Sequence, residues 1–299
     1  MINLYSRHIL IWTKKFLKNP YLFSKKLIND IKKDFYSTLN LEKNPRLVWC
    51  IGLPKSGTTI IENILDYLGY IGQDKSCLRI FDNRSLEHDH NVSNNMFKKI
   101  PNNKFTYIKT HSHYDSKNYE IIKKFKPKVI ISLRNLKDTM ISRYFHIMVE
   151  KNHWQYKYLI GLEPAESFKK SLTIKNVNDN YSPLEYFYYW LLNWKNELKQ
   201  NKFNYITLNY EEFENDKKNY ISKILNFLNF DKNLVDKIST YLEKEQEKLK
   251  RNGLKKNLKL FTPSTYNPTT KEQRDIFYSD DINKYFEKHL PDKLEKLNS

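Results

Sequence analysis

Ile51-Gly52-Leu53-Pro54-Lys55-Ser56-Gly57-Thr58-Thr59 is the point from which the rest of the chain is read. It follows an apolar run, Leu47-Val48-Trp49-Cys50-Ile51, and precedes Ile60, Ile61, Ile64, Leu65 and Leu68 at helical spacing. A strand, a glycine turn and a helix in that order make an anion cradle, because backbone N–H groups and the positive end of the helix meet at the turn. Gly52 and Gly57 let the turn bend tightly and let the backbone approach an anion. Lys55 brings a full positive charge, and Thr58 and Thr59 add hydroxyl donors in the first helical turn.

Outward from this loop, strands are predicted at Phe105–Lys109, Lys128–Leu133 and Tyr205–Asn209, besides the first at Leu47–Gly52. Helices are predicted over Thr58–Leu68, Lys117–Lys124, Lys137–Val149, Pro183–Gln200, Lys217–Leu228, Lys232–Lys250 and Lys271–Lys288. Ser182, Pro183 and Glu185 form a capping-box start for the fourth of these. The alternation predicts an α/β fold: a central parallel sheet of the phosphate-loop type, flanked by helices on both faces. Ligands of such sheets bind outside the carboxyl ends of the strands. There the four strands deliver the Lys55 loop, Lys109-Thr110-His111, Arg134, and Tyr210-Glu211. The polar segments Gly72–Asn103 and Asn152–Tyr181 read as insertions between sheet elements, of the kind that carry specificity.

At 299 residues the chain can bury a substantial core. Its 52 Lys and Arg against 34 Asp and Glu give a net charge of +18, which favours a polyanionic ligand, nucleic acid or an acidic membrane without choosing among them. Two cysteines, Cys50 and Cys77, are too few for a disulfide framework or a four-thiolate zinc site. The early apolar run Ile9-Leu10-Ile11-Trp12 is too short for a signal sequence, so a cytoplasmic protein is expected. Residues 1–45 read as a basic helical extension, and 46–299 as the main domain. The extension interleaves Leu10, Ile11, Phe16 and Leu17 with Lys14, Lys15 and Lys18. That pattern suits either peripheral contact with an anionic membrane or packing on the main domain.

Ordinary nucleotide-triphosphatase loops place Lys directly after the last glycine, followed by Ser or Thr; here Thr58 follows Gly57. Pro54-Lys55-Ser56-Gly57-Thr58-Thr59 resembles instead the 5′-phosphosulfate loop of the sulfotransferases that use 3′-phosphoadenosine 5′-phosphosulfate (PAPS). The resemblance implies that Lys55, Ser56, Gly57, Thr58 and Thr59 bind this donor. Lys109-Thr110-His111 resembles the family element whose histidine is the catalytic base, which His111 would be here, with His113 as the fallback. Lys109 shares the strand face of His111 if the strand extends that far, and would contact the transferring sulfonyl oxygens. Arg134-Asn135-Leu136-Lys137-Asp138, with Ser142 eight residues after the arginine, resembles the 3′-phosphate element, although Leu136 replaces the usual Pro. Tyr210-Glu211-Glu212 is similar to the segment whose tyrosine approaches adenine. Arg251-Asn252-Gly253 resembles the start of the family's C-terminal phosphate loop, with Lys256 where a second Gly is expected.

The resemblance thus implies transfer of a sulfonate group to an acceptor hydroxyl on a glycan, lipid or small molecule, with Lys55, Lys109 and His111 catalytic and no metal. Two other readings compete with it. A phosphate-loop kinase or hydrolase would want a strand-end Asp for Mg²⁺ where this chain has Arg134. A nucleic-acid-binding module would account for the charge but leave the loop, His111 and Arg134 without a task; no nucleic-acid partner is expected.

Overall fold

The computed structural model describes residues 45–72, 105–113, 116–176, 179–200, 203–255 and 275–290. The N-terminal extension and the polar segment from 73 to 104 lie outside the described residues. Among the described residues, five strands form one parallel sheet: β1 (Leu47–Gly52), β2 (Ile71–Gly72), β3 (Thr106–Thr110), β4 (Lys128–Leu133) and β5 (Tyr205–Asn209). Their order is β2-β3-β1-β4-β5, so β1 runs at the centre between β3 and β4. All strands point the same way, and every carboxyl end therefore lies on one edge of the sheet.

Strand alternation divides the core into two layers, as a sheet buried on both faces requires. Trp49, Ile51, Ile108, Val129 and Ile131 face one layer. That layer holds α3 (Leu136–Val149), α5 (Pro164–Thr173), α6 (Pro183–Leu198) and α10 (Asp280–His289). Val48, Cys50, Tyr107, Ile130 and Leu208 face the other. There α1 (Thr58–Tyr67), α8 (Lys217–Phe227) and α9 (Val235–Lys255) pack. The helices α2 (Ser116–Phe125), α4 (Tyr156–Leu159) and α7 (Tyr210–Asn215) complete the chain, with 3₁₀ turns at Lys232–Leu234 and Ile276–Tyr278.

Three sequence expectations are corrected. The strand placed at Phe105–Lys109 runs one residue later, and its end at Thr110 is fixed by Trp49 Nε1 donating to Thr110 Oγ1 at 2.9 Å. The segment Asn152–Tyr181, read as an insertion, contributes α5 to the core, since Phe168 and Leu172 are fully buried. Its anchor is the buried Arg143, which donates to Gln155 Oε1 at 2.6 Å while Gln155 Nε2 donates to Ser171 O at 3.2 Å. Finally, α9 continues through Lys255 and takes in Arg251 and Gly253, where a loop was expected beyond Lys250. One glycine costs a helix only about 1 kcal/mol, too little to stop a helix of this length.

Candidate active site

The loop after β1 turns through two residues in left-handed backbone, Lys55 at φ 75° and Gly57 at φ 95°. For a residue with a Cβ this conformation costs about 1–2 kcal/mol, so Lys55 needs contacts that hold it. Arg134 supplies one, its Nη1 donating to the Lys55 carbonyl at 3.0 Å. Ser132 Oγ on β4 donates to the Ser56 carbonyl at 2.6 Å. Ser56 closes the loop internally: its N–H and its hydroxyl both donate to Leu53 O, at 3.1 and 2.8 Å. Gly52 is required by space, since a Cβ there would lie 2.6 Å from Thr58 Cγ2 and 2.9 Å from Ser132 Cβ.

Gly57 is the N-cap of α1, which has neither a side-chain cap nor an acid in its first turn. The positive end of the helix is thereby left to an external anion. A Cβ on Gly57 would meet the ring of Tyr210 at 2.6 Å. The same ring carries Arg134, whose guanidinium carbon lies 4.3 Å from the ring centroid. Tyr210 thus braces the loop and Arg134. The Nε of Arg134 is buried with no hydrogen-bond partner among the described residues, a donor that a bound anion would satisfy.

His111 follows β3 and faces the same loop. Its Nδ1 donates to the Gly52 carbonyl; a carbonyl only accepts, so Nδ1 carries the proton and Nε2 is the basic nitrogen. Two tryptophans of α6 fix this strand end. Trp190 Nε1 donates to the carbonyls of His111 and Ser112, at 3.1 and 2.9 Å, and Trp194 Nε1 donates to Ser112 O at 3.0 Å. His113 packs edge-on against Tyr186, with centroids 4.4 Å apart. Lys109 turns to the α1 layer, where Nζ donates to Glu62 Oε2 at 2.5 Å.

Three cations converge at this edge. Burial first, and then the charges of Arg134 and Lys109, push the Lys55 ammonium down to about 8 from its ordinary 10.5. Ser142 is buried on α3, one turn before His146. Burial, and next the Lys55 charge, push the His146 imidazole down to about 4. Asn135 caps α3 by accepting from the N–H groups of Lys137 and Asp138, at 2.9 and 3.2 Å. Asn135 N donates to Glu211 Oε1 at 2.9 Å, which ties the β4 and β5 ends together. A cavity of about 890 Å³ opens beside Arg134, between the β4 and β5 ends and α6 and α10; neither Lys55 nor His111 lines it.

The strand-end residues named from sequence are therefore gathered on one edge: Lys55, Ser56, Gly57, Thr58, Thr59, Lys109, His111, Arg134 and Tyr210. Arg251 and Gly253 lie in the last turn of α9. Sequence reading missed Glu62, His146, Trp190 and Trp194. His146 had a usable signal, its spacing of four from Ser142 on one helix. The others are found only through long-range packing.

The sequence pattern of the sulfotransferase domain matches residues 45–297. The chain belongs to the sulfotransferase domain family. Comparison of this sulfotransferase with curated protein sequences gives no match. Among solved structures it is similar to a mouse sulfotransferase complexed with PAP, at 18% identity and a TM-score of 0.52 over 88% of this chain and 90% of that one. It is also similar to a retinol dehydratase in complex with retinol and PAP, at 14% identity and a TM-score of 0.50 over 89% and 85%. At these identities the likeness is one of fold, and the sulfotransferase shares with both the helix-flanked α/β architecture.

Proposed function

We propose that this sulfotransferase moves a sulfonate group from PAPS to an acceptor hydroxyl, with His111 as the base. One observation carries the reading: the strained Lys55 loop, Arg134 with its unmet Nε, and His111 in its Nδ1–H tautomer meet at one edge of the sheet. The uncapped start of α1 and Lys55 suit the 5′-phosphosulfate end of the donor, and Arg134 with Ser142 suits the 3′-phosphate. Thr58 and Thr59 begin the helix whose dipole supports the first of these. When bound, PAPS supplies an activated sulfonyl group and a phosphate leaving group.

His111 Nε2 takes the proton of the acceptor hydroxyl as its oxygen attacks, as a neutral imidazole nitrogen can do in general-base catalysis. Lys55 faces the negative charge that grows on the departing oxygen, and Lys109 faces the sulfonyl oxygens. These ammonium groups do the work that Mg²⁺ does in kinases, at a centre that carries less negative charge. The acceptor class the chain favours is a carbohydrate or another extended, anionic hydroxyl compound, in keeping with the net charge of +18.

The test is calorimetric titration of adenosine 3′,5′-bisphosphate (PAP) and adenosine 5′-monophosphate into the wild type and Arg134→Ala. Losing a charged hydrogen-bonding partner costs roughly 1.5–3 kcal/mol. That loss should fall on PAP and spare the monophosphate, which has no 3′-phosphate. Equal weakening of both would sink the assignment of Arg134.

A further inference from the structure

We propose that Glu62 is a positioning residue of the sulfonate site, holding the Lys109 ammonium against the wall of the anion cradle. The inference deepens the PAPS reading above and rests on it. Glu62 stands four residues after Thr58 on α1, on the same helix face and one turn deeper. An acid so close behind an anion-binding helix start opposes the anion unless something neutralises it. Lys109 does so across 47 residues of sequence, through the 2.5 Å bond, with both side chains only 17% exposed.

Alternation along β3 explains the pairing. Ile108 packs in the Trp49 layer and Thr110 accepts from Trp49 Nε1, so Tyr107 and Lys109 turn to the α1 layer. Lys109 still lies close enough to the loop for its charge to act on Lys55. An ammonium has three N–H donors; the bond to Glu62 uses one, directs the group, and leaves two for sulfonyl oxygens. An untethered lysine would have to lose that rotational freedom on every binding event.

The sulfonyl group is present in PAPS and absent from PAP, so the ratio of their affinities reports on Lys109 without any acceptor. Calorimetry on the full chain gives this ratio for the wild type, Glu62→Gln, Lys109→Met and the double variant. Each single variant should lower the PAPS-to-PAP affinity ratio by roughly tenfold, the worth of one charged hydrogen bond. PAP is the reference within each variant, so a general change in the charge of the cradle cancels in the ratio, and the double variant should fall no further than Lys109→Met. Glu62→Asp, which keeps the charge on a shorter arm, should give an intermediate ratio; it carries the test if thermal melting shows that Glu62→Gln does not fold. A wild-type ratio in a folded Glu62→Gln or Glu62→Asp protein overturns the inference, because a purely structural ion pair would move melting and not the ratio. So does an undiminished effect of Glu62→Gln in the Lys109→Met background. A wild type that binds neither PAPS nor PAP overturns the donor reading itself, and this inference with it.

Discussion

With Lys55 in the proposed donor site, the strength of donor binding depends on pH, and the structure gives the sign. In the ligand-free protein its ammonium titrates at about 8, held down by burial and by the Arg134 and Lys109 charges. An anion in the cradle supplies the missing counter-charge and drives the group back towards its ordinary 10.5. Returning the group to its ordinary value is worth roughly 3 kcal/mol. The free protein loses the charge as pH rises through about 8, whereas the complex keeps it, so binding takes up a proton above that point. PAP affinity should therefore be greatest below about pH 8 and fall by up to about tenfold for each pH unit above it. The phosphates of PAP, with a last ionisation near about 6, add no slope in that range. The assay is calorimetry from about pH 7 to about pH 9.5, in two buffers of different protonation heat, so that proton uptake is counted directly. Lys55→Met should bind PAP weakly and with no slope. A flat wild-type profile, or the same slope in Lys55→Met, would refute the argument.

Gly57→Ala adds a Cβ at φ 95° and 2.6 Å from the Tyr210 ring, so thermal melting and PAP titration should show stability and affinity falling together. The backbone term alone is about 1–2 kcal/mol; unchanged melting and binding would mean that the loop is not held as described. On the proposal that Lys55 and Lys109 supply the positive charge, turnover with labelled PAPS should persist in excess EDTA. Full loss in EDTA, restored by Mg²⁺, would contradict that assignment.

What was legible in the sequence follows from how locally each feature is encoded. The Lys55 loop, its strand and its helix are contiguous, so a single stretch carries cradle, charge and hydroxyls. Strands β4 and β5 matched their predicted bounds because both are short runs carrying β-branched residues between clear breaks. The capping box at Ser182 and Glu185 is a local hydrogen-bond pair and formed as expected. In contrast β2, two residues long, has no periodicity to detect. The helices in Asn152–Tyr181 were hidden because the burial of Phe168 depends on aromatic neighbours such as Tyr144 and Phe277, distant in sequence. The positions of Tyr210 over Gly57 and of Glu62 on Lys109 are likewise products of sheet order, which sets which strand end lies beside which. Family motifs carried the assignment of Arg251 and Gly253, and there the backbone is helical.

Proton removal by His111 is the central step of the proposed PAPS-dependent transfer. The direct measurement is transfer of label from sulfur-labelled PAPS to a panel of phenolic, lipid and glycan hydroxyl acceptors, by the wild type and by His111→Ala side by side. The wild type should label at least one acceptor. His111→Ala should fold, bind PAP with unchanged affinity and transfer label about 10²–10⁴-fold more slowly, the usual cost of losing a general base. A folded His111→Ala protein that transfers label at the wild-type rate would contradict the account.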